Sequence, residues 1–387
     1  MKMLNLVKII QTSVFCLLAP LACAQKPNIL LIFSDDHAKK ALSCYGNKDI
    51  KTPALDRIAG EEVRFEHVLT PNSDGTKKAK NTRLIDHLKM GHKQKVVAYG
   101  TSLTAVGAWV DQLRTVFNQQ FPGQVNLING AQGGANSDWG VKNLEEKVLK
   151  HRPDCVFIEF SINDAVGSRR TAVEDARKNL NNMIDRILEK NPLCEIILMV
   201  MNTPVGHTRE RRPNLPAFEN NYREVAKERG FQLIDHGKAW NTFLKKNPSR
   251  FLFCVPDTIH PVRLGGLEVS TPTMAKALGL QLGNPETNNE QPCFDYLFRV
   301  MNVDKNKAVT RAEFDQYWKD SFNKSDRDGN GMLDAKELWS EELASGLDGN
   351  KDKKVSFKEY SADFSKHFTD RDRDGDGSLV RGEIWEK

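Results

Sequence analysis

The sequence predicts an α/β fold, a parallel sheet covered by helices in three layers, joined to a small all-α unit at the C-terminus. Three observations predict it. Between residues 96 and 282 short apolar runs alternate with segments of helical periodicity, which is how a parallel sheet with helices on both faces is written in a chain. From residue 293 the texture changes to acidic twelve-residue stretches separated by short amphipathic helices. With 387 residues the chain exceeds one typical domain, so two or three folded units and a sizeable core are expected.

The N-terminus reads as a targeting segment. Lys2 and Lys8 precede an apolar run over 9–22, and Ala22-Cys23-Ala24 offers the small residues of a cleavage site. Residues 1–24 are therefore expected to be a signal peptide, and the mature protein secreted or periplasmic. The run is shorter than the roughly 20 residues a spanning helix needs, so no transmembrane span is expected. Attachment through a lipidated Cys23 is the alternative, but Pro20-Leu21-Ala22 is a poor lipidation box. Lys and Arg total 56 against 51 Asp and Glu, a net charge of +5. Without a basic stripe interleaved with aromatics, no nucleic-acid partner is expected. Cys44, Cys155, Cys194, Cys254 and Cys293 remain after cleavage. They lack metal-type spacing, and Cys155 and Cys194 lie inside apolar runs, where a thiol behaves as a small hydrophobe.

Residues 25–68 form a first unit, with an apolar strand over 29–33, the acidic turn Ser34-Asp35-Asp36-His37 and a helical pattern over 53–63. A lysine-rich stretch over 69–94, with Asn72, Ser73, Asp74 and Gly75 as turn formers, reads as a basic linker. The sheet domain spans 95–283. Strands are expected at 96–99, 125–129, 155–160, 196–201 and 231–234, and helices near 108–119, 141–150, 171–189, 218–229 and 272–280. Active residues of such a sheet belong in the loops at the carboxyl ends of its strands. A short linker over 284–292 leads to the acidic domain over 293–387, expected to be separate from the sheet domain and to leave it unaffected when it binds metal.

Directly after the first strand comes Gly100-Thr101-Ser102-Leu103-Thr104, a serine in a tight strand-to-helix turn. Near the end of the domain, Asp257-Thr258-Ile259-His260-Pro261 supplies a carboxylate and an imidazole. A serine hydroxyl needs a base to take its proton, and the base needs a carboxylate to fix its tautomer. Acyl transfer also needs donors aimed at the oxyanion. The turn Asn129-Gly130-Ala131-Gln132-Gly133-Gly134 after the second strand and Ser161-Ile162-Asn163-Asp164 after the third are the candidates.

These four blocks, in this order over 96–282, resemble the SGNH (GDSL-type) hydrolases. The resemblance implies a flavodoxin-like three-layer sheet and an acyl or acetyl esterase. Ser102 then matches the nucleophile, Gly134 and Asn163 the oxyanion donors beside the Ser102 amide, and Asp257 and His260 the rest of the triad. Thr101 stands where the family has aspartate, and Ser161 where it has glycine. Neither change removes a catalytic group. The chemistry needs no cofactor, and a small-molecule or polysaccharide ester is the expected substrate.

The acidic stretches carry oxygen ligands at positions 1, 3, 5, 9 and 12 of a twelve-residue loop, the pattern of an EF-hand calcium site with glycine at position 6. Asp326, Asp328, Asn330, Asp334 and Glu337 fill one loop, with Met332 at the backbone-carbonyl position and Gly331 at the sharp turn. Asp372, Asp374, Asp376 and Glu383 fill another, with Ser378 at position 7, Gly377 at position 6 and Val380 leaving position 9 to water. Asn302, Asp304, Asn306, Thr310 and Glu313, and Asp348, Asn350, Asp352, Ser356 and Glu359, make the other two. Lys307 and Lys353 occupy position 6 there, so these two are expected to bind calcium more weakly. Position 8 is apolar in all four: Val309, Leu333, Val355 and Leu379. A compact array of this kind is also suited to holding a protein partner.

Residues 27–36 and 52–59 resemble the opening of the sulfatases, whose paired aspartates, here Asp35 and Asp36, bind calcium. The family's nucleophile motif belongs near residues 72–82, where this chain reads Asn-Ser-Asp-Gly-Thr-Lys-Lys-Ala-Lys-Asn-Thr. Sulfatase chemistry is therefore not expected. Two other readings stand beside the esterase: a calcium-binding docking or adhesion protein with an idle hydrolase fold, and a sulfatase-related protein.

Overall fold

The computed structural model describes residues 42–61, 82–283, 298, 300–380 and 383, which fall in two compact units divided between Gly75 and Thr76. The leader, Asp35 and Asp36, the strand expected at 29–33, Cys293 and the linker at 284–292 lie outside the described residues. In the first unit a turn at Ser43–Tyr45 and helix α1 (Pro53–Glu61) are joined by hydrogen bonds. The Ser43 hydroxyl donates to Asp56 Oδ2 at 2.6 Å and accepts from the Thr52 amide at 2.8 Å.

The second unit opens with a helix where the sequence suggests only a basic linker. Helix α2 (Arg83–Lys89) is capped by the Thr82 hydroxyl. The linker reading of 69–94 is corrected at its end, because Leu84, Ile85 and Leu88 form an apolar stripe that is fully buried against the sheet. Glu195 secures it, accepting from the Arg83 and Leu84 amides at 3.2 and 2.7 Å.

Five parallel strands follow: β1 (Gln94–Gly100), β2 (Val125–Asn129), β3 (Cys155–Glu159), β4 (Glu195–Val200) and β5 (Gln232–Asp235). Their order is β2-β1-β3-β4-β5, the flavodoxin-like order, whose switch point lies between β1 and β3. Successive side chains point to opposite faces. Val96, Ala98, Phe157 and Ile197 pack in one core with helices α4 (Ala108–Gln120) and α13 (Thr271–Leu278), whereas Val97, Tyr99, Val156 and Ile158 pack with α5 (Ser137–Lys147), α7 (Val173–Lys190) and α9 (Leu215–Arg229). Cys155 is a buried thiol in the first of these cores and Cys194 in the second.

Short helices follow the strands, α3 (Ser102–Ala105) after β1, α6 (Ser161–Asp164) after β3 and α8 (Gly206–Glu210) after β4, and α12 (Arg263–Gly265) follows the Asp257–His260 loop. Two helices have no counterpart in the sequence reading, α10 (His236–Lys246) and α11 (Pro248–Cys254). Helix α5 begins at Ser137 rather than 141 because Asn136 caps it.

The acidic region consists of α14 (Arg311–Ser325), α15 (Ala335–Leu338), α16 (Glu341–Leu347) and α17 (Phe357–Arg371), with strands β6 (Ala308–Thr310), β7 (Met332–Leu333), β8 (Val355–Ser356) and β9 (Ser378–Val380). β6 pairs with β9 and β7 with β8. The first loop thus meets the fourth and the second meets the third, through Val309, Leu379, Leu333 and Val355, all fully buried. The expectation of a separate domain is corrected. Trp240, Phe251, Leu252, Phe253 and Val255 share one continuous core with Trp318, Leu343, Leu347, Phe364 and Phe368. Phe253 of α11 stands edge-on to Phe364 and Trp318, at 4.8 and 5.9 Å between centroids. No described helix is long and apolar enough to cross a membrane.

Candidate active site

The strand-to-helix turn after β1 places Ser102 at the first position of α3, with the Thr101 hydroxyl accepting from the Leu103 amide. Behind the turn lies a group the sequence reading did not use. Glu159, at the end of β3, is fully buried and accepts from the Thr101 amide at 2.6 Å, the Thr101 hydroxyl at 3.0 Å and the Thr104 hydroxyl at 2.7 Å. Thr101 thus meets the carboxyl with two donors, its amide and its hydroxyl. Gly100 leaves room for it: a Cβ there would lie 2.2 Å from Glu159 Oε1. Burial pushes the Glu159 carboxyl up to about 8, against the opposing hydrogen bonds of Thr104 and Thr101. The signal was a glutamate inside the apolar run Cys-Val-Phe-Ile-Glu-Phe, since an unpaired charge is rarely buried without a purpose.

His260 Nε2 lies 2.8 Å from Ser102 Oγ, and His260 Nδ1 lies 2.6 Å from Asp257 Oδ2. Asp257 Oδ1 also accepts from the amides of Ile259 and His260 at 3.1 and 2.7 Å. Burial pushes the Asp257 carboxyl up, but the hydrogen bond and charge of His260, with the two amides, outweigh it and hold the group below its usual range. An ionised Asp257 accepts Nδ1–H, which leaves Nε2 as the acceptor for the serine proton. This is the geometry in which a serine can be deprotonated as it attacks.

Gly134 sits in the turn after β2 with φ +75°, exposed, its carbonyl accepting from Arg169 at 2.5 Å. Asn163, in α6 after β3, is buried, and its Nδ2 donates to the Ala135 carbonyl at 2.8 Å. The amide carries a second hydrogen for another acceptor. Arg212 orients this side chain from behind, with Nε on the Ile162 carbonyl at 2.8 Å and Nη2 3.5 Å from Asn163 Oδ1. The neighbouring Asp164 is buried and accepts from the Ser137 amide at 2.7 Å. Its burial raises its carboxyl to about 7. Ser102 and Asn163 thus stand at the switch point between β1 and β3, where such sheets bind ligands.

In the acidic loops, carboxylate oxygens of Asp326, Asp328 and Glu337 gather within 4.8 Å of one another, as do those of Asp372, Asp374 and Asp376. Asp326 Oδ1, Asp372 Oδ1 and Asn302 Oδ1, each at position 1 of its loop, are buried atoms with no hydrogen-bond partner among the described residues. Buried oxygens of this kind need a partner from outside the chain, a water or a cation. The donor set is all oxygen, which suits a hard ion such as calcium. Glu337 and Glu359 bridge their loops, accepting from the amides of Arg327 and Asp334, and of Gly349 and Ser356. Lys353 is left-handed at φ +67°, as Gly331 and Gly377 are in the other loops, whereas in the first loop Lys305 at position 4 is left-handed and Lys307 is not.

Comparison with known proteins adds the following. Residues 97–265 match the GDSL-like Lipase/Acylhydrolase family, so this part of the chain is a hydrolase domain of the class that acts on ester bonds. Among solved structures, an acetylxylan esterase from Geobacillus stearothermophilus is similar at 20% identity, over 50% of this chain and 98% of that one, with a TM-score of 0.44. Several sulfatases match a short stretch, two of which follow. An N-acetylglucosamine-6-O-sulfatase of Bacteroides thetaiotaomicron is 37% identical over 82 residues, covering 18% of this chain and 15% of that protein. Arylsulfatase A of Homo sapiens is 46% identical over 57 residues, 15% and 11% of the two. The chain therefore spans only a small part of the length of the curated relatives it matches.

Proposed function

Proceeding from a GDSL-like hydrolase domain over residues 97–265, we propose that the protein is an exported serine esterase acting on acyl or acetyl esters of carbohydrate, with calcium held in its acidic loops. The observation that carries the catalytic reading is the chain Ser102 Oγ to His260 Nε2 at 2.8 Å and His260 Nδ1 to Asp257 Oδ2 at 2.6 Å.

In the first step Ser102 Oγ bonds to the ester carbonyl carbon while its proton passes to His260 Nε2. Asp257 holds the resulting imidazolium in place. The oxyanion is received by the amides of Ser102 and Gly134 and by Asn163 Nδ2, each such donor worth about 3–4 kcal/mol when preorganised. The tetrahedral adduct collapses as His260 returns the proton to the alcohol oxygen, leaving an acyl-serine. Water, deprotonated by His260, then attacks the acyl carbon, and the second adduct collapses as the bond to Ser102 Oγ breaks and His260 returns its proton to that oxygen, releasing the acid. No metal takes part in these steps.

The four loops would hold calcium through Asn302, Asp304, Asn306, Thr310 and Glu313; Asp326, Asp328, Asn330, Met332, Asp334 and Glu337; Asp348, Asn350, Asp352, Ser356 and Glu359; and Asp372, Asp374, Asp376, Ser378 and Glu383. The unpartnered oxygens of Asp326, Asp372 and Asn302 support this reading. Calcium supplies charge neutralisation that lets the carboxylates share one loop. The carbohydrate reading rests on the leader pattern and on the lack of a long apolar lid segment in the sequence, both of which favour a polar extracellular ester.

The test is covalent labelling with a serine-directed fluorophosphonate, alongside turnover of p-nitrophenyl acetate. The wild type should be labelled once and turn over the ester. Ser102→Ala should lose labelling and drop turnover by about 10⁴-fold or more while keeping its melting temperature, because the triad acts as a unit. A wild type that neither labels nor turns over would leave the docking protein with an idle hydrolase fold.

A further inference from the structure

We infer that Thr208 of α8 is a positioning residue for the Asp257–His260 loop, and that the acidic loop Asp326–Glu337 holds α8 in place, so that the state of this loop is felt at the triad. The inference rests on the triad reading above. It starts from Thr258, which lies between the two triad members, is buried and has φ +66°. A β-branched residue in the left-handed region is strained, and such a conformation persists only where its surroundings impose it.

What imposes it is α8. The Val205 amide, at the α8 N-cap, donates to the Thr258 carbonyl at 3.0 Å. The Thr208 hydroxyl lies 2.9 Å from the same carbonyl, 2.8 Å from the Thr258 hydroxyl and 2.8 Å from the Val205 carbonyl. With a single proton, Thr208 donates to one carbonyl and accepts from the Thr258 hydroxyl. Side chain and main chain of the strained residue are thus both held from one point.

A five-residue helix without a side-chain cap has no stability of its own, so α8 is placed by what it touches. Besides the triad loop, that is the acidic loop. A Cβ on Gly206 would stand 3.1 Å from Ser325 Oγ and 4.0 Å from the Glu337 carbonyl, the residues at the two ends of the loop. Arg327 pairs with Glu210 at 2.8 Å, and Arg209 lies over the Trp339 ring at 5.2 Å. The same segment reaches the oxyanion side through Arg212, whose guanidinium meets Ile162 and Asn163. The loop ligands Asp326 and Glu337 therefore flank the surface on which α8 rests.

The experiment compares Thr208→Val, Thr208→Ser and the half-buried Arg209→Ala with the wild type, in calcium and in EGTA. It reads p-nitrophenyl acetate kinetics, the rate of fluorophosphonate labelling, and calcium affinity by calorimetry before and after labelling. Thr208→Val should lower kcat by about tenfold or more with KM little changed, since a small displacement of a reacting group is costly. Thr208→Ser should stay close to wild type. In the wild type, EGTA should slow labelling by a measurable factor, and the labelled protein, whose adduct resembles the tetrahedral state, should bind calcium more tightly than the unlabelled. Arg209→Ala should shrink that factor while folding normally. Thr208→Val turning over and labelling at the wild-type rate would overturn the positioning role. Equal labelling rates in calcium and EGTA, with calcium uptake measured, would overturn the link to the acidic loop. A wild type that is never labelled would instead overturn the serine reading on which both rest.

Discussion

The two halves of the Ser102–His260–Asp257 chain are held by different parts of the molecule. Ser102 and Asn163 stand at the ends of adjacent central strands, in turns tied from behind by Glu159 and Asp164, both buried among sheet residues. Asp257 and His260 lie in a loop with no strand beneath it. That loop follows α11, whose Phe253 is packed among the aromatic rings of the acidic unit, and it is braced by α8, which rests on the same unit. The proposed nucleophile and oxyanion donors are set mainly by the sheet, whereas the proposed base and its carboxylate depend on the acidic region. The site is therefore sturdy on one side and conditional on the other.

The largest effect that sharpens this contrast is on the sheet side. Asn163→Ala should cost about 10²–10³-fold in kcat for p-nitrophenyl acetate, as removal of one oxyanion donor does elsewhere. The factor should be nearly the same in calcium and in EGTA, because Asn163 follows directly on β3 and its Nδ2 is fixed by the Ala135 carbonyl; a strongly calcium-dependent factor would break the comparison.

The next is on the stability of the conditional side. An ion that binds only the native state stabilises it by RT ln(1 + [L]/Kd), about 2.7 kcal/mol at one hundred times Kd. With a core continuous from Trp240 to Phe368, scanning calorimetry should show the whole of the larger unit moving to higher temperature with calcium. Glu337→Gln or Glu383→Gln should erase most of the shift. Glu359→Gln should matter less, because Lys353 already strains its loop in the left-handed region. A sheet transition that stays put while the acidic one moves would restore the picture of separate domains.

The smallest concerns pH and the sheet side. Glu159 is raised from 4.5 to about 8 and Asp164 from 3.8 to about 7, both by burial. The folded state thus binds these protons more tightly than the unfolded chain, so their stabilising contribution is present at low pH and is lost as pH rises through that window. Glu159→Gln, which mimics the protonated form, should flatten part of this decline in urea unfolding, and Asp164 should account for part of what remains. An unchanged slope would show that Glu159 is ionised as folded, held by its three donors.

Much of this was legible along the chain. The strands at β1 to β5, the serine after the first of them, the Asp-x-x-His pair and the four acidic loops are local patterns, written in residues two to twelve apart. Where local pattern was misleading, the cause was composition. Lysines around 76–95 obscured the three apolar residues of α2, and the helices over 236–254 follow Asp235 and Asn247-Pro248 closely enough to read as one irregular stretch, their N-cap side chains making no capping hydrogen bond.

The sequence by itself determined the chemistry available: which side chains can act as nucleophile, base, oxyanion donor and calcium ligand, since these follow from residue type and short-range spacing. Tertiary structure alone decided how they meet. It brought Ser102 to His260 across 158 residues, paired the first acidic loop with the fourth, merged the acidic unit with α10 and α11, and set Thr208 against the strained Thr258. Contacts between distant segments depend on which of several equally apolar or polar surfaces fit one another, and that complementarity exists only once the chain has folded back on itself.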